Sequence, residues 1–213
     1  MPSTTLYLVQ HGEADEADGS ADRQGVLQSL AVSEPPGPRS PAPPLSLRRS
    51  ARKGRRSVLG VSADQRLAEL GLQLPQPFPP AGSYVAAVRT GALLYLSGAG
   101  PVRADGSIVT GKVGETVDLE TAVEAARLTA LQLLAVMRHE LGSLDKVRRI
   151  VKTLGMVNCA PGFNRTPQVI DGCSDLLIEV FGDTGRGARS AVGMAELPFD
   201  ISVEIELIVE TTD

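Results

Sequence analysis

The end of the chain, "DISVEIELIVE" (200–210), places Ile201, Val203, Ile205, Leu207 and Val209 on one face of an extended strand. Ser202, Glu204 and Glu206 fall on the other face, because side chains alternate along a strand. Such a strand needs apolar cover on one side only, so the chain is restricted to a sheet with one packed face. The acidic face then has two readings. It meets water, or Arg189 and one of its carboxylates line a pocket for a small charged molecule.

Helices are the expected cover. Over 118–141, Leu119, Ala122, Val123, Ala126, Ala130, Leu133, Leu134, Met137 and Leu141 form one stripe at helical spacing. Asp118 and Glu120 suit the positive N-terminal end of that helix, and Gly142 supplies a stop. A second amphipathic helix is predicted from about Pro167 to Phe181, with Val169, Cys173, Leu176, Leu177 and Val180 inward and Pro167 in its first turn. A short helix over "SADQRLAELG" stops at Gly71 and leads into a proline-rich arm. Tyr84–Val88 and Leu93–Ser97 read as strands joined at "RTG", "RADGS" (103–107) as a tight turn, and 146–158 as a β-branched strand. "RSAVGMAEL" and "DISVEIELIVE" finish the chain as strands. The order β-β-α-β-α-β-β implies an α+β domain of about 150 residues, both helices on one face of a mainly antiparallel sheet. The other face is left uncovered, to meet water or another subunit.

This regular text begins near Ser62. Residues 33–56, "SEPPGPRSPAPPLSLRRSARKGRR", hold six prolines and seven basic residues with hardly any large apolar side chain. They cannot bury enough surface to offset their ordering entropy. Residues 1–61 are therefore expected to be a disordered or spurious N-terminal extension, and 62–213 the domain. The basic run reads as a solvated linker. Five acidic residues among the first 22 argue against a transit peptide.

Charge and composition exclude several classes. Residues 62–213 carry 13 basic and 19 acidic side chains, a net of −6, which repels phosphate backbones. Few aromatics and no Trp argue against stacking platforms for single strands. No nucleic-acid partner is expected. The most apolar stretch, around Ala122–Val136, is broken by Glu124, Arg127, Thr129 and Gln132, so no membrane span is expected. Cys159 and Cys173 lack the spacing of metal ligands and the density of a disulfide scaffold. They read as buried small side chains in a reducing, cytoplasmic compartment, and no metal is expected.

Three constellations could carry chemistry. "LYLVQHGEA" (6–14) resembles the opening strand and nucleophile of histidine phosphatases, which need a second histidine and phosphate-holding arginines. Gln10 stands where the arginine should be, and the only other histidine, His139, falls on the polar side of its helix. The stretch reads as a remnant, a fusion scar or an over-long start. "SGAG" (97–100) and "GDTGRG" (182–187) are Gly-rich but lack the strand-to-helix context of a phosphate cradle, so they read as turns. The third is Arg189 with Glu204: a guanidinium fork for a carboxylate, and a carboxylate that can orient or deprotonate water. Arg186 and Glu206 compete for the same roles.

Residues 62–210 resemble the Rid (RidA-like reactive intermediate/imine deaminase) family in ordered blocks: "YVAAVRTGALLYLSGAGP", "LGSLDKVRRIVKTLGMVN", "FNRTPQVIDGCSDLLIEVFGD" and "ARSAVGMAELPFDISVEIE". The stretch "VIDGCSDLLIEVFGDTGRGARSAVG" looks like a divergent subgroup. The resemblance implies a chorismate-mutase-like fold, a homotrimer with a cleft between each pair of subunits, and no cofactor. It implies hydrolysis of enamines or imines such as 2-aminoacrylate to 2-keto acids and ammonia. By position, the carboxylate-binding arginine falls on Arg189, the water-associated glutamate on Glu204, the cleft tyrosine on Tyr84, and a ligand-adjacent glycine on Gly98. Ala191 stands where many active members carry cysteine, leaving its backbone N–H for the substrate carboxylate. That departure favours the other functional class, a trimeric binder of small carboxylate metabolites without turnover.

Overall fold

A computed structural model describes residues 61–77 and 79–212. The expectations placed on residues 1–60, including the proline-rich run and the "LYLVQHGEA" stretch, lie outside the described residues.

The elements run α1 (Ala63–Glu69), β1 (Ala87–Thr90), β2 (Leu93–Ala99), α2 (Leu119–Leu141), β3 (Val147–Asn158), α3 (Thr166–Phe181), β4 (Ala188–Met194) and β5 (Val203–Thr211). The strands form one sheet in the order β1-β2-β5-β3-β4, in which only the β3–β4 pair is parallel. That pair is joined by α3, since parallel neighbours need a crossover. The final strand thus lies in the middle of the sheet, as its apolar face requires. Val203, Ile205, Leu207 and Val209 are at most 1% exposed, each contributing on the order of 1.5–3 kcal/mol by burial. The helices α2 and α3 pack on one another, α2 against β2 and β5 and α3 against β3 and β4. This is the expected α+β architecture with its long helices on one face.

Helix α1 begins with a reciprocal capping box between Ser62 and Gln65. Asp118 caps α2 by accepting from the Thr121 N–H at 2.7 Å, and Gly142 ends it with φ 80°. The buried surface of α2 is wider than the predicted stripe. Ala125, Thr129 and Gln132 join it, because α2 is covered by the sheet and by α3 together. Close approach explains Gly172 of α3: a Cβ there would lie 2.1 Å from the Val123 carbonyl oxygen of α2.

Three local differences bear on the site. Residues 84–86 are not in β1, which starts at Ala87. A turn intervenes, with the Tyr84 N–H donating to the Gly82 carbonyl at 2.9 Å and the Ala81 N–H to the Tyr84 hydroxyl at 3.2 Å. The expected strand 189–197 stops at Met194, and Pro198–Asp200 forms a tight turn in which Phe199 and Asp200 both have φ 56°. That turn is pinned by Asn158, whose Nδ2 donates to Asp200 Oδ1 at 2.9 Å, and by the Gly111 N–H on the Asp200 carbonyl at 2.8 Å. Ser202, expected on the acidic face, is fully buried. The chain before α2 covers it, its N–H donating to the Val109 carbonyl at 3.0 Å.

Candidate functional site

Strand register decides which site residues can meet. Arg189 pairs with Thr153, and Thr153 with Leu207; Thr153 and Leu207 are buried beneath the helices. Glu204 pairs with Met156, and Met156 with Val192. An odd step separates Arg189 from Val192, so the two rows occupy opposite faces. Arg189 is on the helix side and Glu204 on the open side. The pocket expected from these two residues therefore does not exist within one chain. Ala191 shares the helix side with Arg189, and its carbonyl accepts from Thr166 Oγ1 at 3.0 Å.

Arg189 sits at the rim of the helix-covered face, on edge strand β4. Its Nη1 donates to Asp171 Oδ1 at 2.7 Å and to Ser174 Oγ at 3.1 Å, both on α3. Its Nε and Nη2 have no hydrogen bond among the described residues, and the side chain is 28% exposed. The same guanidinium lies near Cys173, whose thiol burial pushes up to about 12. Cys173 is buried, as the sequence suggested, whereas Cys159 is only partly buried. The competing Arg186 pairs instead with Asp183 at 3.7 Å on the surface.

Glu204 occupies a different setting. Between Leu96 and Ala99 the β2–β5 register shifts, a bulge that contains Gly98 and re-aims the strand locally. A Cβ at Gly98 would lie 1.9 Å from Glu204 Oε1, so only glycine leaves the carboxylate its seat. Burial, and then the charge of Glu206 on the same face, push the Glu204 carboxyl above its ordinary range. Glu204 has no hydrogen bond or ion pair among the described residues. The structure brings Glu204 and Gly98 together. Among the described residues no hydrogen bond joins Tyr84 to them, and it is 51% exposed in the turn before β1. Around Glu204 the open face carries uncovered apolar side chains, among them Val88, Tyr95, Val192 and Met194.

Sequence reasoning missed Asp171 and Ser174. The available signal was their three-residue spacing at the border of the α3 stripe, which sets both side chains on one side of the helix. A cavity of about 490 Å³ lies elsewhere, between the proline-rich arm and α2, lined by Pro75, Arg103, Leu128 and Gln132 and by neither Arg189 nor Glu204. Among the described residues no cluster of His, Cys, Asp and Glu could hold a metal ion. No described helix is long and apolar enough to cross a membrane.

Comparison with known proteins agrees with this fold. The family model described as "YjgF/chorismate_mutase-like, putative endoribonuclease" matches residues 64–210. The protein TCP17 of Trypanosoma cruzi is 42% identical over 145 residues, which is 68% of this chain and 91% of that protein. The crystal structure of Atu1372 from Agrobacterium tumefaciens, a protein described as having unknown function, is 45% identical. It superposes with a TM-score of 0.65, covering 71% of this chain and 92% of that one. A Shewanella oneidensis MR-1 protein described as a "putative endoribonuclease" is 28% identical with a TM-score of 0.68, covering 70% and 99%. The matched span holds every block on which the Rid resemblance rested, and the chain belongs to this YjgF/Rid family of chorismate-mutase-like proteins.

Proposed function

We propose that this protein hydrolyses small enamine or imine acids of the 2-aminoacrylate type to 2-keto acids and ammonia, in clefts between the protomers of a homotrimer. The observation that carries the reading is the Glu204 carboxyl: raised, unpartnered among the described residues and seated over Gly98 on an uncovered apolar sheet face. Because Arg189 faces the other way, the two can share a ligand only across a subunit boundary. An exposed face bearing Val88, Tyr95, Val192 and Met194 suits such a boundary.

In this reading the Arg189 guanidinium of one protomer grips the substrate carboxylate, and Glu204 of the next holds a water. The enamine takes a proton at its terminal carbon and becomes an iminium, whose electrophilic C2 the water attacks. The resulting carbinolamine loses ammonia as its C–N bond breaks and the C=O bond forms, leaving the 2-keto acid. No cofactor enters the balance. The backbone at Gly98 and Ala191 lines the ligand, and Tyr84 closes the cleft once a neighbouring protomer abuts it. A reducing, cytoplasmic setting suits the two free thiols.

Ala191 favours a second reading, a trimeric binder of small carboxylates without turnover. The ribonuclease wording attached to the family finds little support in a domain of net charge −6, and we assign no nucleic-acid or membrane partner. The test is a coupled assay in which a lyase generates 2-aminoacrylate from serine and pyruvate release is followed. The protein accelerates release, and Arg189→Ala lowers kcat/KM about 100-fold or more, as loss of a charge-assisted anchor requires. No acceleration together with Arg189-dependent binding of a 2-keto acid leaves the binder; neither result removes both readings.

A further inference from the structure

The anchor arginine is held by two acceptors that the family resemblance does not supply. Both leave from one nitrogen: Nη1 has two N–H bonds, and they go to Asp171 Oδ1 at 2.7 Å and Ser174 Oγ at 3.1 Å. The Ser174 hydroxyl donates to the Ile170 carbonyl at 3.2 Å, so its oxygen is turned outward as an acceptor. Asp171 and Ser174 are three residues apart on α3, and Ile170 beside them is fully buried. The contact with Gly155 on β3 is tight enough that a Cβ there would meet Ile170 Cδ1 at 2.5 Å. The acceptors therefore ride on a fixed element.

From this geometry we propose that Asp171 and Ser174 are positioning residues that saturate Nη1 of Arg189 and so present its Nε/Nη2 edge to the substrate carboxylate. The inference rests on the reading of Arg189 as carboxylate anchor and adds which edge of the fork is used and what fixes it. A planar guanidinium offers parallel donor pairs on more than one edge. With Nη1 occupied, the edge formed by Nε and Nη2 is the one still free for two carboxylate oxygens. An unbraced arginine would sample several rotamers and lose entropy on binding. The opposing possibility is that Asp171 is a latch, a carboxylate that must leave before the substrate's can enter.

The two differ in sign. We would titrate full-length protein with 2-oxobutanoate by calorimetry and measure kcat and KM in the lyase-coupled assay. A brace requires that Asp171→Ala raise both Kd and KM about tenfold while kcat stays within about twofold, since a charge-assisted contact that orders the anchor is lost. Asp171→Asn, which keeps an acceptor oxygen on Nη1, binds within about threefold of wild type, and Ser174→Ala raises Kd about threefold. Tighter or unchanged binding by Asp171→Ala and Ser174→Ala overturns the brace. A loss of thermal stability without the split between KM and kcat, or without rescue by Asn, also overturns it. Wild-type binding by Arg189→Ala is a different failure: it removes the anchor reading itself.

Discussion

The two faces of the sheet treat charge in opposite ways. Under the helices, Arg189 is the charged side chain at the rim, and α3 answers it with Asp171 and Ser174. On the open face, Glu204 sits half-buried with no partner among the described residues, beside Glu206 and uncovered apolar groups. The same alternation that makes β5 a good central strand produces both. One face is complete within the chain, and the other leaves a carboxylate and apolar side chains uncovered. The uncovered face is where a second chain has the most to contribute.

That contrast can be broken experimentally. The largest effect is expected from Val192→Asp on the open face. If that face is the proposed boundary, a new charge buried there lacks a partner, so sedimentation should give a folded monomer with activity down about 100-fold or more. An intact trimer would mean that the open face is not the boundary. The glycines sharpen the comparison next. Gly172→Ala forces a Cβ against the Val123 carbonyl oxygen between two helices and should cost about 2–3 kcal/mol, read as a Tm lower by about 4–10 °C. Gly98→Ala meets only the end of the Glu204 side chain. It should leave Tm nearly unchanged while activity falls about tenfold as the carboxylate is displaced. Equal Tm losses would erase the distinction between packed and open faces.

The smallest effect concerns pH. Because the Glu204 carboxyl is raised in the folded protein by burial and then by Glu206, the folded state holds this proton more tightly than the unfolded chain. Stability falls as pH rises from the ordinary carboxylate range through the raised one, and above it the cost is complete. Glu204→Gln removes that cost, so its Tm should match wild type in acid and exceed it slightly at neutral pH. A lower Tm at neutral pH would mean that an adjoining cation already holds the carboxylate.

The local periodicities were legible. The α2 stripe, the alternation of β5, the caps at Asp118 and Gly142, and the acidic face are short-range patterns that the residues themselves impose. The relation of Arg189 to Glu204 was not, because it passes through β3: one parallel and one antiparallel pairing must be known before the faces are assigned, and a one-residue slip reverses the answer. Tyr84 misled for a different reason. Its β propensity is high, but its hydroxyl and N–H serve a turn, and side-chain bonds of that kind leave little trace in sequence. Asp171 and Ser174 were hidden by looking polar, since a helix border is where polar residues are commonplace.

The crossover joining β3 to β4 has a hereditary consequence. Everything that shapes the grip of Arg189 lies in one uninterrupted piece of chain, whereas the seat of Glu204 is assembled from Gly98 and a segment more than a hundred positions later. Drift in a short stretch of gene can retune the first without disturbing the second. Lineages of such proteins should therefore diverge around Arg189 sooner than around Glu204.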